Sequence, residues 1–496
     1  SLLQSIQEDK RESVNVAMEN LPADNLKYYD LGSGLVTNTI GSSMIKWNMA
    51  SFMGRINYNY LGRYLLTVSA RYDGSSRLAD GHKWVLFPSA ALAWRINEES
   101  FMSSTSGWLD NLKLRLGFGK TGNSAVDPYQ TKGTLSLIRY PFDNGGTPTI
   151  GYAPNAMANS LLTWETTDQW NLGIDFGVLR GRINGTIDLY MQNTHDLLLK
   201  RQLPVVSGFP DVLSNVGKTR NKGIEVSINS MNINSKDFQW TTDLMLSSNK
   251  EEIVELYNGK NDDIGSKWFI GQPVNVHYDY RKVGIWQNTE SDLAEMAKFA
   301  ANGTEFAPGD IKIQDVNGDY KITDADKQIL GNPRPKLIAS MVNTFNYKGF
   351  DLSVFLYASF GAMLYNDIYA VEHCGRNGGV KVDYWTPNNP TNAYPRPSID
   401  EERPIYITST YYEKADFLRV KTMTLGYTLP KTLTNKFLVE KLRVYFTAQN
   451  PFIFTNYTGI DPEAAKVNSA GNPETNGSGF GTPSVSSWIF GINLTL

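Results

Sequence analysis

The residues of this chain best placed to do chemistry stand within twelve consecutive positions, Asp315-Val316-Asn317-Gly318-Asp319-Tyr320-Lys321-Ile322-Thr323-Asp324-Ala325-Asp326. Oxygen-bearing side chains fall at positions 1, 3, 5, 9 and 12, with a β-branched residue at 8, the spacing of an EF-hand-like calcium loop. Such a loop wraps a hard cation. Asp315, Asn317, Asp319 and Asp326 offer side-chain oxygens, Lys321 its backbone carbonyl, and Thr323 an oxygen directly or through water. Two positions depart from the pattern. Tyr320 stands where Gly makes the sharp turn, so it must reach a left-handed backbone conformation. Asp326 replaces the longer Glu. Three carboxylates in one loop repel one another unless a cation neutralises them, so the expectation is one structural Ca2+ that orders the segment around 302–334.

Catalytic constellations find no such support. The four histidines, His82, His195, His277 and His373, have no metal-ligand spacing, and no Gly-x-Ser-x-Gly elbow or phosphate loop occurs. Neighbouring carboxylates such as Asp262-Asp263 and Glu401-Glu402 point apart in an extended chain. The expectation is a protein that is not an enzyme. Trp268, Trp286, Tyr384, Trp385, Tyr411 and Tyr412 fall in long connections, where their rings could stack on a sugar or a partner surface, or pack the loops themselves.

The elements that position these loops alternate with period 2. In Trp488-Ile489-Phe490-Gly491-Ile492-Asn493-Leu494-Thr495-Leu496, large apolar residues interleave with small or polar ones, Ile489 excepted. Leu66, Val68 and Ala70 oppose Thr67, Ser69 and Arg71; Leu114 and Leu116 oppose Lys113 and Arg115. Ile174 and Phe176 oppose Asp175, Ile187 and Leu189 oppose Asp188, and Val444 and Phe446 oppose Arg443. Soluble sandwiches alternate too. Charge directly behind the apolar face, strand after strand, suits a membrane barrel better: lipid outside, a polar lumen inside. Short connections at 61–62, 179–181, 232–236 and 348–349 alternate with long ones near 74–83, 122–163, 193–216, 249–335, 364–414 and 451–484. Short periplasmic turns and long extracellular loops are the signature of such a barrel. The segments count to about fourteen strands if those near 128–140 and 267–286 are loop hairpins. A short helix is expected at Glu290–Ala301.

Composition agrees. A formal net charge of −3 gives no support to nucleic-acid binding. Mean hydropathy is −0.34, and the longest apolar stretches, such as 353–365, are too short for a spanning helix of ~20 residues. A barrel hides from hydropathy because half its residues face water. The single cysteine, Cys374, reads as an incidental loop thiol. No signal peptide precedes Ser1, and the start reads as a strand end running into a polar loop at 7–12.

Several phrases, in this order, resemble SusC/RagA-type TonB-dependent outer-membrane transporters. They include Arg63-Tyr64-Leu65-Leu66-Thr67 with Tyr72-Asp73-Gly74-Ser75-Ser76-Arg77, Phe87-Pro88-Ser89-Ala90-Ala91-Leu92-Ala93-Trp94-Arg95, and Gly119-Lys120-Thr121-Gly122-Asn123. Asn221-Lys222-Gly223-Ile224-Glu225, Tyr347-Lys348-Gly349-Phe350-Asp351 and Leu425-Gly426-Tyr427-Thr428-Leu429-Pro430 complete the likeness, which covers nearly the whole chain. Such barrels usually end on Phe or Trp; this chain ends on Leu496. The resemblance implies an all-β antiparallel barrel of ~22 strands plugged by an N-terminal domain, of which residues 1–496 form the C-terminal part. It places the plug, the first strands and the TonB-contacting segment upstream. It also implies a SusD-like surface lipoprotein as partner and TonB-energised import of glycans, or in some members peptides, across the bacterial outer membrane. The loops at 122–163, 249–335 and 364–414, residues 366–380 above all, are then the expected contacts of the lipoprotein lid. The rival reading is a secreted, calcium-stabilised β-rich glycan-binding module, which requires strands whose inner faces pack as an apolar core.

Overall fold

The structure is a computed structural model that describes residues 1–142, 148–366, 381–397, 403–437, 439–463 and 484–496. One 14-stranded sheet dominates, each strand antiparallel to the next in chain order. Its strands are β1 (Leu2–Glu19), β2 (Val36–Tyr60), β3 (Tyr64–Ser75), β4 (Trp84–Arg95), β5 (Leu109–Asn123), β6 (Glu165–Val178) and β7 (Ile183–His195). They continue as β8 (Lys218–Asn234), β9 (Phe238–Glu255), β10 (Leu337–Tyr347), β11 (Phe350–Phe360), β12 (Phe417–Thr428), β13 (Lys441–Thr455) and β14 (Ser487–Thr495). Among the described residues no helix is long and apolar enough to cross a membrane; strands can.

Register turns the sequence alternation into continuous surfaces. Leu66, Leu92, Leu116, Leu172, Leu189 and Ile224 stand side by side from β3 to β8, and all are exposed. In water such an apolar strip would be a liability; in a bilayer it is the lipid face. Phe446 and Phe490 pair in the same sense, Phe490 being 72% exposed. The opposite face carries Arg71, Lys113, Arg115, Asp188 and Arg443, the lumenal side the alternation assigns them. A secreted module would bury the apolar face against a second sheet. Here that face lies open and the buried clusters lie among the loops and at the strands' loop ends, so the rival reading fails.

Turn chemistry follows the short connections. Lys348 (φ +47) and Gly349 (φ +91) both take left-handed conformations, the tight hairpin that matches strand twist. Two connections on the same side are longer than the sequence reading allowed for, 96–108 and 429–440. The first folds back because Glu99 accepts hydrogen bonds from Tyr64 Oη (2.7 Å) and Trp94 Nε1 (3.0 Å). The expected polar loop at 7–12 is also corrected. β1 runs straight through it, paired to β2, with Lys46–Glu8 (3.1 Å) and Lys10–Glu12 (2.6 Å) neutralising its charge. Polar composition signalled a loop, but a strand of 18 residues outruns a bilayer and its excess length faces water.

The long loops fold on themselves. Residues 124–164 carry the hairpin Thr134–Tyr140/Thr149–Ala156. The hairpin expected at 267–286 does not form: His277–Asp279 pairs with Gln328–Gly331, and Lys282–Ile285 with Ile311–Ile313. Helix α1 spans Glu290–Ala301 as expected, capped by Thr289 Oγ1 accepting from Asp292 N (3.3 Å). Its Met296 and Phe299 bury against Trp286, with Phe306 and Tyr320 alongside. Residues from both the 256–336 and 361–416 loops share a second core: Ile285, Ile311, Ile313, Trp385, Ile407 and Tyr411. Polar clasps reinforce it. Trp385 Nε1 donates to Gln287 Oε1 (2.8 Å), and Lys282 Nζ donates to the Ala393 carbonyl (2.7 Å). Burial pushes the Lys282 amine down to about 8.

Two outcomes follow. Phe490→Lys should cost ~2–4 kcal/mol in a refolding assay, whereas Asn493→Lys, on the lumenal face, should cost little; equal tolerance would reverse the faces. The depressed Lys282 means that the unfolded loop binds more protons than the folded one between pH ~8 and ~10.4. Stability of the two-loop body therefore rises with pH through that window. Amide-exchange protection at 282–285, corrected for intrinsic rate, should increase from pH 7.5 to 9.5, and Lys282→Met should abolish the increase.

Candidate functional site

The lumenal face is a lattice of ion pairs between strands. Arg115 Nε donates to Asp175 Oδ1 (2.9 Å) and Nη2 to Asp188 Oδ2 (3.0 Å), while Lys113 Nζ reaches Asp175 Oδ2 (2.7 Å). Arg115 spans β5, β6 and β7 because Gly173 lies between it and Asp188 in register. A Cβ there would fall 2.5 Å from the guanidinium carbon. Arg443 makes the same move over Gly426, donating from Nε (2.9 Å) and Nη2 (2.5 Å) to the Asp351 carboxylate. Arg71 donates to both oxygens of Asp73 (2.7 and 2.9 Å) and to Ser51 Oγ (2.9 Å). A passage walled this way is polar yet locally neutral.

Near the loop end sits a buried cluster that sequence reasoning missed. Arg419 in β12 is 4% exposed and pairs with Asp461 (2.5 Å) and Glu463 (3.1 Å), and Lys421 also reaches Glu463. Asp461 and Glu463 belong to the connection before β14, so the cluster ties that loop to the wall. Besides Arg419, the Asp461 carboxylate accepts from the backbone N–H of Glu463 (2.9 Å) and Ser484 (3.0 Å). Strict alternation would group Arg419 with the exposed Leu425; the bulge between Val420 and Thr422 reverses the faces and turns Arg419 inward, which is why the sequence did not reveal it.

In the calcium-type loop, Tyr320 adopts φ +59 and Gly318 φ +76, so the residue at the glycine position does reach the left-handed turn. Packing explains how. The Tyr320 ring meets Phe299 edge-on at 5.5 Å, and Lys298 lies 5.1 Å from its centroid, contacts a glycine could not make. Asp315 accepts from the N–H groups of Gly318 (2.7 Å) and Tyr320 (2.8 Å). Asp326, fully buried, accepts from Val316 N (2.9 Å) and Thr323 N (2.8 Å). Asp319 Oδ1 takes the Lys321 N–H (2.8 Å) and Oδ2 the Asn317 amide (2.9 Å). Among the described residues no three carboxylate, imidazole or thiolate groups stand in metal-holding geometry. The three carboxylates are instead each held by backbone N–H donors of the loop itself, and Asn317 is tied to Asp319.

The six loop aromatics divide. Trp286, Trp385 and Tyr411 are core residues, 1%, 6% and 2% exposed, and have no ring face to offer a ligand. Their connections are long enough to need a core of their own, and large rings supply it. Tyr412 is half-buried, donating to Asp279 Oδ2 (3.0 Å) and packing on His277. Tyr384 is exposed and Trp268 half-buried, so these two keep accessible surface. Of the expected lid contacts, residues 367–380, with His373 and Cys374, lie outside the described residues.

Comparison with known proteins fits this geometry. The family model described as "TonB dependent receptor-like, beta-barrel" matches residues 19–451. TonB-dependent receptor P3 of Formosa agariphila is 32% identical over 509 residues, covering 99% of this chain and 50% of that protein. TonB-dependent receptor SusC of Bacteroides thetaiotaomicron is 35% identical over 434 residues, covering 84% of this chain and 41% of SusC. The chain thus spans about half the length of the relatives it matches. Among solved structures, the RagAB peptide importer in its open-open state superposes with a TM-score of 0.80 at 24% identity, covering 100% of this chain and 52% of that one. A lipid-facing, lumen-charged wall of consecutive antiparallel strands and a family match across most of its length lead to one conclusion: the chain belongs to the TonB-dependent receptor-like β-barrel family of the outer membrane, with SusC among its relatives.

Proposed function

We propose that this chain forms the C-terminal wall and the extracellular crown of a SusC-like importer that carries oligosaccharides across the outer membrane and leaves them chemically unchanged. The observation that carries this reading is the wall itself: apolar outside, ion-paired inside, and topped by two loops that pack as one body rather than as idle connectors. In this reading the rest of the transporter supplies the strands that complete the ladders of β1 and β14, the plug, and the segment that meets TonB. The crown docks a SusD-like lipoprotein, and Tyr384 and Trp268 offer the ring faces that sugars favour. Kinship at 30–35% to receptors including SusC supports the SusC-like reading, and glycan import is what the likeness of the motif phrases to that family implies. Peptide cargo is the second reading, favoured by the fold shared with a peptide importer.

Cargo identity is decided by binding. The intact transporter should retain an oligosaccharide, detectable by mass spectrometry of the purified complex, and Tyr384→Ala should weaken its binding roughly three- to tenfold. Peptides in place of glycan would establish the second reading.

Calcium belongs to the same proposal, bound by Asp315, Asn317, Asp319, Asp326, the Lys321 carbonyl and Thr323. Bound there, the ion would neutralise three carboxylates and fix Tyr320 and Ile322, which pack into the loop cores. Elemental analysis should find one Ca2+ lost in an Asp315→Ala/Asp319→Ala variant. Equal calcium in variant and parent would place the ion elsewhere.

A further inference from the structure

The outward face changes character over three successive rows. The first is apolar: Leu116, Leu172, Leu189 and Ile224. In the second, Phe118, Trp170 and Met191 lead to Lys222 and then Lys250. The third is polar: Lys120, Asp168, Asn193, Arg220 and Glu252. The loop-side edge of the hydrocarbon layer therefore lies at the second row, where an aromatic girdle gives way to charge.

Lys222 and Lys250 are directly opposed across β8 and β9, and both are exposed. Two like charges in that position repel, and such pairs destabilise a sheet unless something neutralises them. Elsewhere on the outward face the chain provides the remedy itself. Lys10 and Lys46 are opposed in the same way, but each holds its own carboxylate, Glu12 at 2.6 Å and Glu8 at 3.1 Å. At the second row the remedy is incomplete. Glu252 is shared between Lys250 (3.4 Å) and Arg220 (3.5 Å), and among the described residues Lys222 has no ion-pair partner. Four cations (Lys120, Arg220, Lys222, Lys250) thus face two carboxylates (Asp168, Glu252). Lys222 and Lys250 also line, with Leu189, Met191 and Ile224, a recess of about 920 Å³ that ends at the Arg334–Glu251 ion pair (3.0 Å). Cations directly above apolar side chains, at the membrane boundary, match a molecule with an anionic head and hydrocarbon tails.

We infer that Lys222 and Lys250 form a site on the outer wall for the phosphate of an outer-leaflet lipid, whose acyl chains lie along Leu189, Met191 and Ile224. The phosphate bridges the two ammonium groups and removes their repulsion, so the lipid acts as a lateral clamp between β8 and β9. The inference concerns the lipid face and is independent of what the lumen carries.

The test uses the intact transporter in phosphatidylcholine nanodiscs, titrated with diphosphoryl lipid A, with the same lipid stripped of its phosphates, and with inorganic phosphate, read by native mass spectrometry. Diphosphoryl lipid should bind and the stripped lipid should not. Lys222→Gln/Lys250→Gln should weaken binding by ~10-fold or more. Lys222→Arg/Lys250→Arg should preserve it, and so should Lys10→Gln/Lys46→Gln, which removes an equally exposed pair. Assembly of each variant is checked by its heat-dependent gel mobility. Equal binding of the two lipids, unchanged affinity in the Gln variant, or displacement by inorganic phosphate alone at matching concentration would overturn the site, the last replacing it with a simple anion site.

Discussion

The wall answers to one constraint, on which the rest depends: inside a bilayer no water is available to satisfy a backbone N–H or C=O. A polypeptide that crosses without helices must pair each strand with a neighbour on both sides. The consecutive antiparallel order of the strands is the simplest arrangement that does so for β2 to β13. Once the ladders are set, pleating sends alternate side chains to opposite solvents. Leu172 and Asp188 are then not competing demands on one core but separate answers to lipid and to the lumen.

The lumenal answer has an electrostatic cost that the wall resolves locally. A lone charge half removed from water is costly, and breaking a pair as buried as Arg419–Asp461 costs about 3–5 kcal/mol. The wall accordingly pairs its charges across strands, and it places glycine where a guanidinium must cross to its carboxylate. Gly173 and Gly426 are needed for what they lack: any Cβ would occupy the path of Arg115 or Arg443. The Arg419–Asp461–Glu463 cluster applies the same rule at the rim, where it converts an ion pair into a tether for a loop.

The loops obey soluble-protein physics, because they stand in water. Loops of this length would pay heavily in chain entropy if left unpacked, and the apolar surface of Trp286, Phe299, Trp385 and Tyr411 offsets that cost by forming cores shared between sequence-distant segments. The calcium-type loop is built into this body rather than hung from it. Tyr320 holds a left-handed turn at a position that favours glycine because its ring is part of the core that encloses α1. The two long loops therefore stand as one packed body, with Trp286, Trp385 and Tyr411 inside it.

The sequence by itself determined the wall. Period-2 alternation with charge on the second face specified strands, faces and the sidedness of connections, because each depends only on neighbours in the chain. It also specified the helix at Glu290–Ala301 and the donor spacing of the calcium-type loop, both local in sequence. Long-range packing decided the rest. Whether a loop tryptophan meets ligand or core depends on which distant segment covers it, and Trp385 is covered by residues nearly a hundred positions away, Gln287 among them. The polar stretch at 7–12 reads as a loop until its partner strand supplies the ladder and the countercharge of Lys46. The opposition of Lys222 and Lys250 is likewise invisible in the sequence, since register, fixed by the whole sheet, is what brings two like charges face to face.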